Sequence, residues 1–499
     1  MQNKRYIAAV DQGTTGTKCL IFDTNGKVIS KAYKRHRQIL LKEGWIEHDP
    51  LEILDNVKFI LSSAVHSANI ETKNIVAVGI SNQRETTILW DKRTGLPLSN
   101  AIVWQDMRTQ DIIKKIRGRY GEKEIEQRTG LRLSTYFSAS KIKWLIDKSD
   151  KIKDLIKERR VLAGNIDSWL IWKLTEENNH LTDYTNASRT LLMNLRTKEW
   201  DSDMLDIFKI PESILPDIKP SINNNGFGTM NYGSFRGVRI MGVMGDQQAA
   251  LLGERAVYNS DIKVTYGTGS FILQNTGRKI KREKGLLTTC AYGTGKNDCT
   301  YALEGSVPIS GEIFDWLKEL GIMKSFTEIK EAINSSIDNN LFLVPAFSGL
   351  FSPYWDESAR GIIIGITRKS NKLAFIRSAV YSICMQVVDI IKRMGNLSGK
   401  INVDGGVASN DYIMQLQADL LGKLIYRSDL VEESAFGAAL SAGIASEVWD
   451  FKSIKNLNTS GRYFYPKVDN KVYNSMYTKW VDAVKRSRNW NESFKYNKN

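Results

Sequence analysis

Histidine and cysteine are the scarce residues of this chain, four of each among 499. Cys19, Cys290, Cys299 and Cys384 show no CxxC spacing, and no His, Cys and Asp pattern has metal-ligand spacing, which argues against a zinc framework and a disulfide scaffold. Buried, reduced thiols are expected. Ser/His/Asp hydrolase spacing is absent, and so is a GxGxxG after a strand. Only nine prolines occur and no Pro-, Gly- or Ser-rich stretch, so no long linker separates the parts. No apolar run approaches the roughly 20 residues of a membrane span. The N-terminus MQNKRYIAAVDQ moves straight into a strand pattern, with neither a signal-like apolar core nor a transit-like Arg/Ser pattern. A cytoplasmic protein without membrane insertion is expected.

What is present is ordinary globular composition, 42% hydrophobic and 25% charged, in a chain longer than one hydrophobic core supports; at least two domains follow. The formal charge of +15 is spread through segments such as KIKDLIKERR rather than gathered in an arm or interleaved with aromatics. This excludes a nucleic-acid binder as the main reading and leaves a field that favours anionic ligands.

YIAAV, TKCLIF and KVISKAY read as an antiparallel meander, with Asn25-Gly26 as a hairpin turn. IVAVGI, TTILWD and AIVWQD continue the strands, and SASKIKWLID and IDSWLIWKL have helical spacing. IKVTYGTGSFILQN repeats the opening order of strand, Gly-Thr turn and strand. LFLVPAF, GIIIGIT and KINVDGG follow it as strands, with helices over Lys372 to Met394 and SNDYIMQLQADLLG. Two similar α/β halves are expected, residues 1–253 and 254–499, closing on a cleft. In the opening loop VDQGTTGTK, backbone N–H groups of a Gly/Thr turn can form a nest for phosphate, and Lys18 adds charge. Asp11 at the strand end is suited to Mg2+ held through water. GTGK near Gly295 lacks the spacing of a P-loop and reads as a hairpin turn. Asp246, after the strand RIMGVMG, is a strand-end carboxylate able to accept a proton during phosphoryl transfer or to cap the helix after it.

DQGTTGTK, SNQRETT, AIVWQD, GNIDSWLIWKLT, TDYTNASRT, GDQQAAL, YGTGSFIL, LEGSVPISG, PYWDESARG and VDGGVASND occur in this order between about Tyr6 and Trp490. Together they resemble the FGGY carbohydrate kinases. The resemblance implies an α/β, two-domain actin-like (ribonuclease-H-like) ATPase fold in which ATP, with Mg2+, and glycerol meet in the interdomain cleft. It implies Arg84, Glu85, Tyr136, Asp246 and Gln247 as polyol ligands between walls of Trp104 and Phe271, with Asp246 as general base. Thr14, Thr15, Lys18 and Thr268 are implied on the phosphates, Gly311, Gly406 and Asn410 around the nucleotide, and Asp11 and Asp246 on the metal. Lys18 stands where many members have Arg, which replaces a forked donor by a point charge. Asp315 stands where a Gln is common and is left out of the site. Gly237 and Arg239 resemble a loop that binds fructose 1,6-bisphosphate in bacterial members, and a dimer or tetramer is implied. A sister kinase for another polyol or ketose, and a non-metabolic actin-like ATPase, remain as alternatives.

Overall fold

Tyr6–Gln12 (β1) pairs antiparallel with Gly16–Asp23 (β2), which pairs on with Val28–Arg35 (β3). In this computed structural model, residues 5–175, 179–335, 340–395, 399–457 and 460–490 are described. The YIAAV run of β1 is buried on both faces, as its continuous apolar sequence requires, whereas β3 alternates half-buried with exposed side chains and leaves one face wet. The turn between β2 and β3 has Gly26 at φ 76°, in the left-handed region an Asn-Gly turn supplies. Ile75–Asn82 (β4) lies parallel to β1, and Arg239–Gly245 (β5) lies parallel to β4. The sheet order is therefore β3-β2-β1-β4-β5, with the short strand Gly228–Thr229 beyond β5.

The second half repeats this plan. Ile262–Tyr266 (β6), Ser270–Gly277 (β7) and Asp298–Val307 (β8) run antiparallel, and Ile401–Asp404 (β9) and Ile425–Ser428 (β10) follow parallel to β6 in the order β8-β7-β6-β9-β10. Leu287–Gly295 and Gly461–Phe464 flank that sheet. The internal repeat read from YGTGSFIL is this duplicated sheet. GTGK lies in the hairpin joining Leu287–Gly295 to β8, as expected. Two strand readings need correction. AIVWQD is regular only over Ala101–Ile102, and TTILWD only over Ile88–Asp91, whereas LFLVPAF and GIIIGIT hold the strands Phe342–Val344 and Ile362–Ile364, which pair with each other outside the large sheet.

Four helices place the site: Asp246–Gly253 (α1), Glu312–Glu319 (α2), Lys372–Met394 (α3) and Glu433–Ala445 (α4). By chain order α4 belongs to the second half, yet it lies against the first sheet. A Cβ on Gly79 of β4 would stand 1.9 Å from the Ala438 carbonyl oxygen, and one on Gly437 would stand 1.8 Å from that of Ala249 on α1. These glycines let backbone meet backbone, so α4 clasps the first half and joins it to the second. α3 corrects the reading of apolar runs. It is long and apolar enough to cross a membrane, the one such helix among the described residues, and most of that apolar stretch is buried. Ile376, Ile383, Val387 and Ile390 place it in the core of the second half. The four cysteines are buried and unpaired, as expected.

Candidate active site

Both hairpins end in Gly-Thr turns. Gly13 N–H donates to the Gly16 carbonyl at 2.9 Å, and Gly267 N–H donates to the Gly269 carbonyl at 2.8 Å. Thr15 and Thr268 are exposed on these turns. The second turn packs on the start of α2, where Gly311 N–H donates to the Gly267 carbonyl at 2.9 Å. A Cβ on Gly311 would stand 2.7 Å from that carbonyl oxygen, so close approach requires glycine here. Thr14 is engaged sideways, its hydroxyl accepting from Trp104 Nε1 at 2.9 Å.

Asp11, at the end of β1, accepts from the Ser81 hydroxyl at 2.5 Å. Burial pushes its pKa up to about 6, against the opposing pull of Ser81 and of Lys18 nearby. Lys18 is ion-paired with Glu432, from the loop before α4. Burial works against its charge, but the hydrogen bond to Glu432 and the charge of Asp11 hold its pKa above the ordinary lysine value. Asp246 opens α1 as its first residue rather than as its N-cap, and its Oδ1 accepts from Gln247 N–H at 2.7 Å. Its side chain keeps 26% of its surface open and lies 3.5 Å from Arg84 Nε. Burial raises its pKa, opposed by Arg84 and by Lys263. Lys263 donates to Gln247 Oε1 and to Thr265 Oγ1, both at 2.6 Å.

A half-buried carboxylate such as Asp11, with one hydroxyl donor and a raised pKa, fits a site where a cation relieves desolvation. Among the described residues no group of three or more His, Cys, Asp or Glu side chains could hold a metal. That donor set suits a divalent ion ligated mainly by water and phosphate oxygens, which is how Mg2+ is usually held.

The implied acceptor residues converge. Tyr136 and Trp104 have ring centroids 5.5 Å apart, Trp104 and Phe271 6.2 Å, and the Arg84 guanidinium lies 5.9 Å over Phe271. The Arg84–Glu85 reading needs refinement. Their ion-pair distance is 3.9 Å, while Arg84 grips Glu304 with two hydrogen bonds of 2.7 and 3.0 Å, and Glu85 accepts from Arg189 Nε at 2.5 Å. A buried guanidinium and carboxylate each need more partners than one neighbour supplies, so the pair has become a network. Glu85 sits at φ 61°, an uncommon conformation for this residue. Its carbonyl accepts from the hydroxyls of Thr87 at 3.0 Å and Ser138 at 3.3 Å, which brace it.

TDYTNASRT supports the strand ends. Thr185 Oγ1 accepts from Gly245 N–H at 2.7 Å just before Asp246, and Asn186 exchanges amide hydrogen bonds of 2.9 and 3.0 Å with Asn82 just before Gln83 and Arg84. The nucleotide residues divide. The Asn410 side-chain oxygen caps helix Asp411–Leu421, accepting from Tyr412 N–H at 3.0 Å and Ile413 N–H at 3.3 Å. Gly405, at φ 92°, is held by close approach to Tyr266, whereas a Cβ on the exposed Gly406 would meet nothing within 4 Å. Gly237 lies at φ 90°, and the exposed Arg239 donates to the Asn225 carbonyl at 2.6 Å. Sequence reasoning missed Glu304, Arg189, Lys263, Glu432 and Asp404. Glu304, Arg189 and Asp404 lie inside quoted motifs, but no local spacing announces partners so distant.

Two duplicated sheets facing a cleft define the actin-like class of α/β folds. The chain belongs to the FGGY family of carbohydrate kinases, matching the family's N-terminal domain over residues 6–253 and its C-terminal domain over 262–446. It is 44% identical over 499 residues to a glycerol kinase of Clostridium perfringens (strain SM101 / Type A), covering 98% of this chain and 99% of that one. The crystal structure of Plasmodium falciparum glycerol kinase with ADP superposes with a TM-score of 0.90 at 34% identity, covering 97% of this chain and 98% of that one. A gluconate kinase structure from Lactobacillus acidophilus, at 22% identity, TM-score 0.88 and coverage of 98% and 100%, shares the fold.

Proposed function

We propose that this protein transfers the γ-phosphoryl group of ATP to glycerol, giving ADP and sn-glycerol 3-phosphate. The observation that carries the reading is the convergence of the Trp104, Tyr136 and Phe271 rings, 5.5 and 6.2 Å apart in turn, around Arg84, whose Nε stands 3.5 Å from the partly open Asp246 carboxylate. Arg84 spends its Nη donors on Glu304, Gln248 and Tyr136. Its Nε remains, 3.9 Å from Glu85 and 3.5 Å from Asp246. A polyol hydroxyl is donor and acceptor at once, so it can accept from Nε and donate to a carboxylate. The hydroxyl that attacks phosphorus loses its proton to Asp246, whose raised pKa brings it nearer the range useful for a general base. Gln247, held by Lys263, offers its amide to a second hydroxyl. Trp104 and Phe271 cover the C–H face and exclude water.

On the donor side, Thr14, Thr15, Lys18 and Thr268 face phosphate, and Gly311, Gly406 and Asn410 border the nucleoside. Asp11, with Asp246, would hold Mg2+, which would supply positive charge to offset that of the phosphates. The family likeness also supports a boundary near Gly253, a dimer or tetramer, a cytoplasmic setting and an effector phosphate near Gly237 and Arg239. ADP release measured with glycerol, dihydroxyacetone, xylulose, ribulose and gluconate tests the reading. Glycerol should lead the panel. A preference for a ketose or gluconate would make this a sister kinase, and release indifferent to all five would remove the kinase reading.

A further inference from the structure

Arg84, Glu85, Arg189 and Glu304 close into a ring of alternating charge. Arg84 Nη1 lies 2.7 Å from Glu304, Arg189 Nη2 lies 3.1 Å from Glu304, Arg189 Nε lies 2.5 Å from Glu85, and Glu85 returns to Arg84 at 3.9 Å. None is more than 3% exposed. Three members come from the first half and one from the second, since Glu304 lies on β8, opposite Leu273 of β7. Four buried charges of zero net sum are tolerable together, and removing one leaves an uncompensated charge.

We propose that Glu304 and Arg189 are positioning residues: Glu304 reaches from the second half to hold Arg84, so the acceptor site is complete only when the halves meet. This rests on the glycerol reading above. Arg84 has two anionic neighbours beyond Glu85, namely Glu304 and Asp246. Glu304 takes the guanidinium end in a bidentate grip, which fixes its plane and leaves Nε toward the polyol. Without that grip the guanidinium swings to Asp246, masks the base and loses the orientation that acceptor binding needs. Arg189 does the matching work for Glu85, and stands 5.4 Å over the Tyr136 ring, so it also seats a wall of the pocket. Glu304 is thus a check on closure, since the polyol ligands of the first half are aligned only by a residue of the second.

The test is Glu304→Gln, with kcat/KM for glycerol, KM for Mg-ATP and melting temperature. A misaligned binding group costs up to about 100-fold, so a fall of about 10- to 100-fold for glycerol is expected, with KM for Mg-ATP within about threefold. Arg189→Met should behave alike and Arg189→Lys should recover part of the loss. Glu304→Asp keeps the charge and carries the same test if the Gln variant melts early. Arg84→Gln combined with Glu304→Gln should lose no more than Arg84→Gln alone, since both act through one contact. A Glu304→Gln enzyme within threefold of wild type, an equal loss for glycerol and Mg-ATP, or additive losses would overturn the inference while the glycerol reading stands. A wild-type protein without glycerol-dependent ADP release would overturn both.

Discussion

The β1–β2 and β6–β7 hairpins share a shape and differ in charge. At the cross-strand position beside the turn, the first pairs Asp11 with Lys18 and the second pairs Thr265 with Phe271. Toward the parallel neighbour, Asp11 faces Ser81 and Thr265 faces Asp404. A hydroxyl and a carboxylate thus meet at both sheet ends, but in reversed order. Duplication kept the backbone scaffold and let the strand ends diverge. The first half brings the charged side chains Asp11, Lys18, Arg84 and Asp246 near one another at its strand ends. The second supplies Phe271 as an apolar wall and glycines for close approach. Fold and function therefore separate cleanly here: the sheet order sets where the ends point, and the residues at those ends set the chemistry.

The largest effect should come from the charged half. Asp246→Asn should lower kcat by about 10² to 10⁴ in a steady-state assay while calorimetry still shows glycerol binding, the usual signature of a lost general base. Arg84→Ala should come next, lowering kcat/KM for glycerol by roughly 5- to 150-fold, with nucleotide affinity kept and the preference for glycerol over 1,2-propanediol lost. Glycines of the second half separate by role. Gly437→Ala forces a Cβ against the Ala249 carbonyl and should cost about 1 to 3 kcal/mol in denaturant unfolding. Gly406→Ala, with open space around it, should leave unfolding unchanged and alter only KM for Mg-ATP.

The smallest effect is at the junction. Glu254 and Glu433 are buried together, their carboxylate oxygens without hydrogen-bond partners among the described residues. Burial raises both pKa values, Glu433 to about 8, against Arg255 and Lys400. A carboxyl raised in the folded state contributes stability fully below its unfolded pKa and loses it as pH rises toward the folded value. Wild-type melting temperature should therefore fall between about pH 5 and pH 8. Glu433→Gln should flatten that fall, gaining at least ~2 °C on wild type at the alkaline end. Parallel curves for the two proteins would count against it.

Much of the fold was legible because its signals are local. Asn25-Gly26, the Gly-Thr turns and the apolar runs mark each hairpin within a dozen or so residues. The docking of α4 was not, because Gly79 and Gly437 need glycine only where two distant backbones touch. The same divide runs through the site. Arg84, Glu85, Trp104 and Asp246 sit in motifs whose family meaning travels with them, and the structure gathers them. Glu304 lies 220 residues from Arg84, and Arg189 lies 104 from Glu85, so nothing in spacing or composition pairs them. Asn410 has a second role that its motif does not announce, its oxygen capping the helix that follows.

The division of labour between the two halves is tested most directly by neutralising the carboxylate of each hydroxyl–carboxylate pair and comparing kcat under saturating Mg-ATP and glycerol. Asp11→Asn should lower kcat by about 10² or more, because on the proposed reading it removes the charge set opposite the phosphates in the first half. Asp404→Asn removes a carboxylate balanced by Lys263 in the second half and should cost less than about tenfold. Equal losses in the two variants, or a larger loss from Asp404→Asn, would contradict the account.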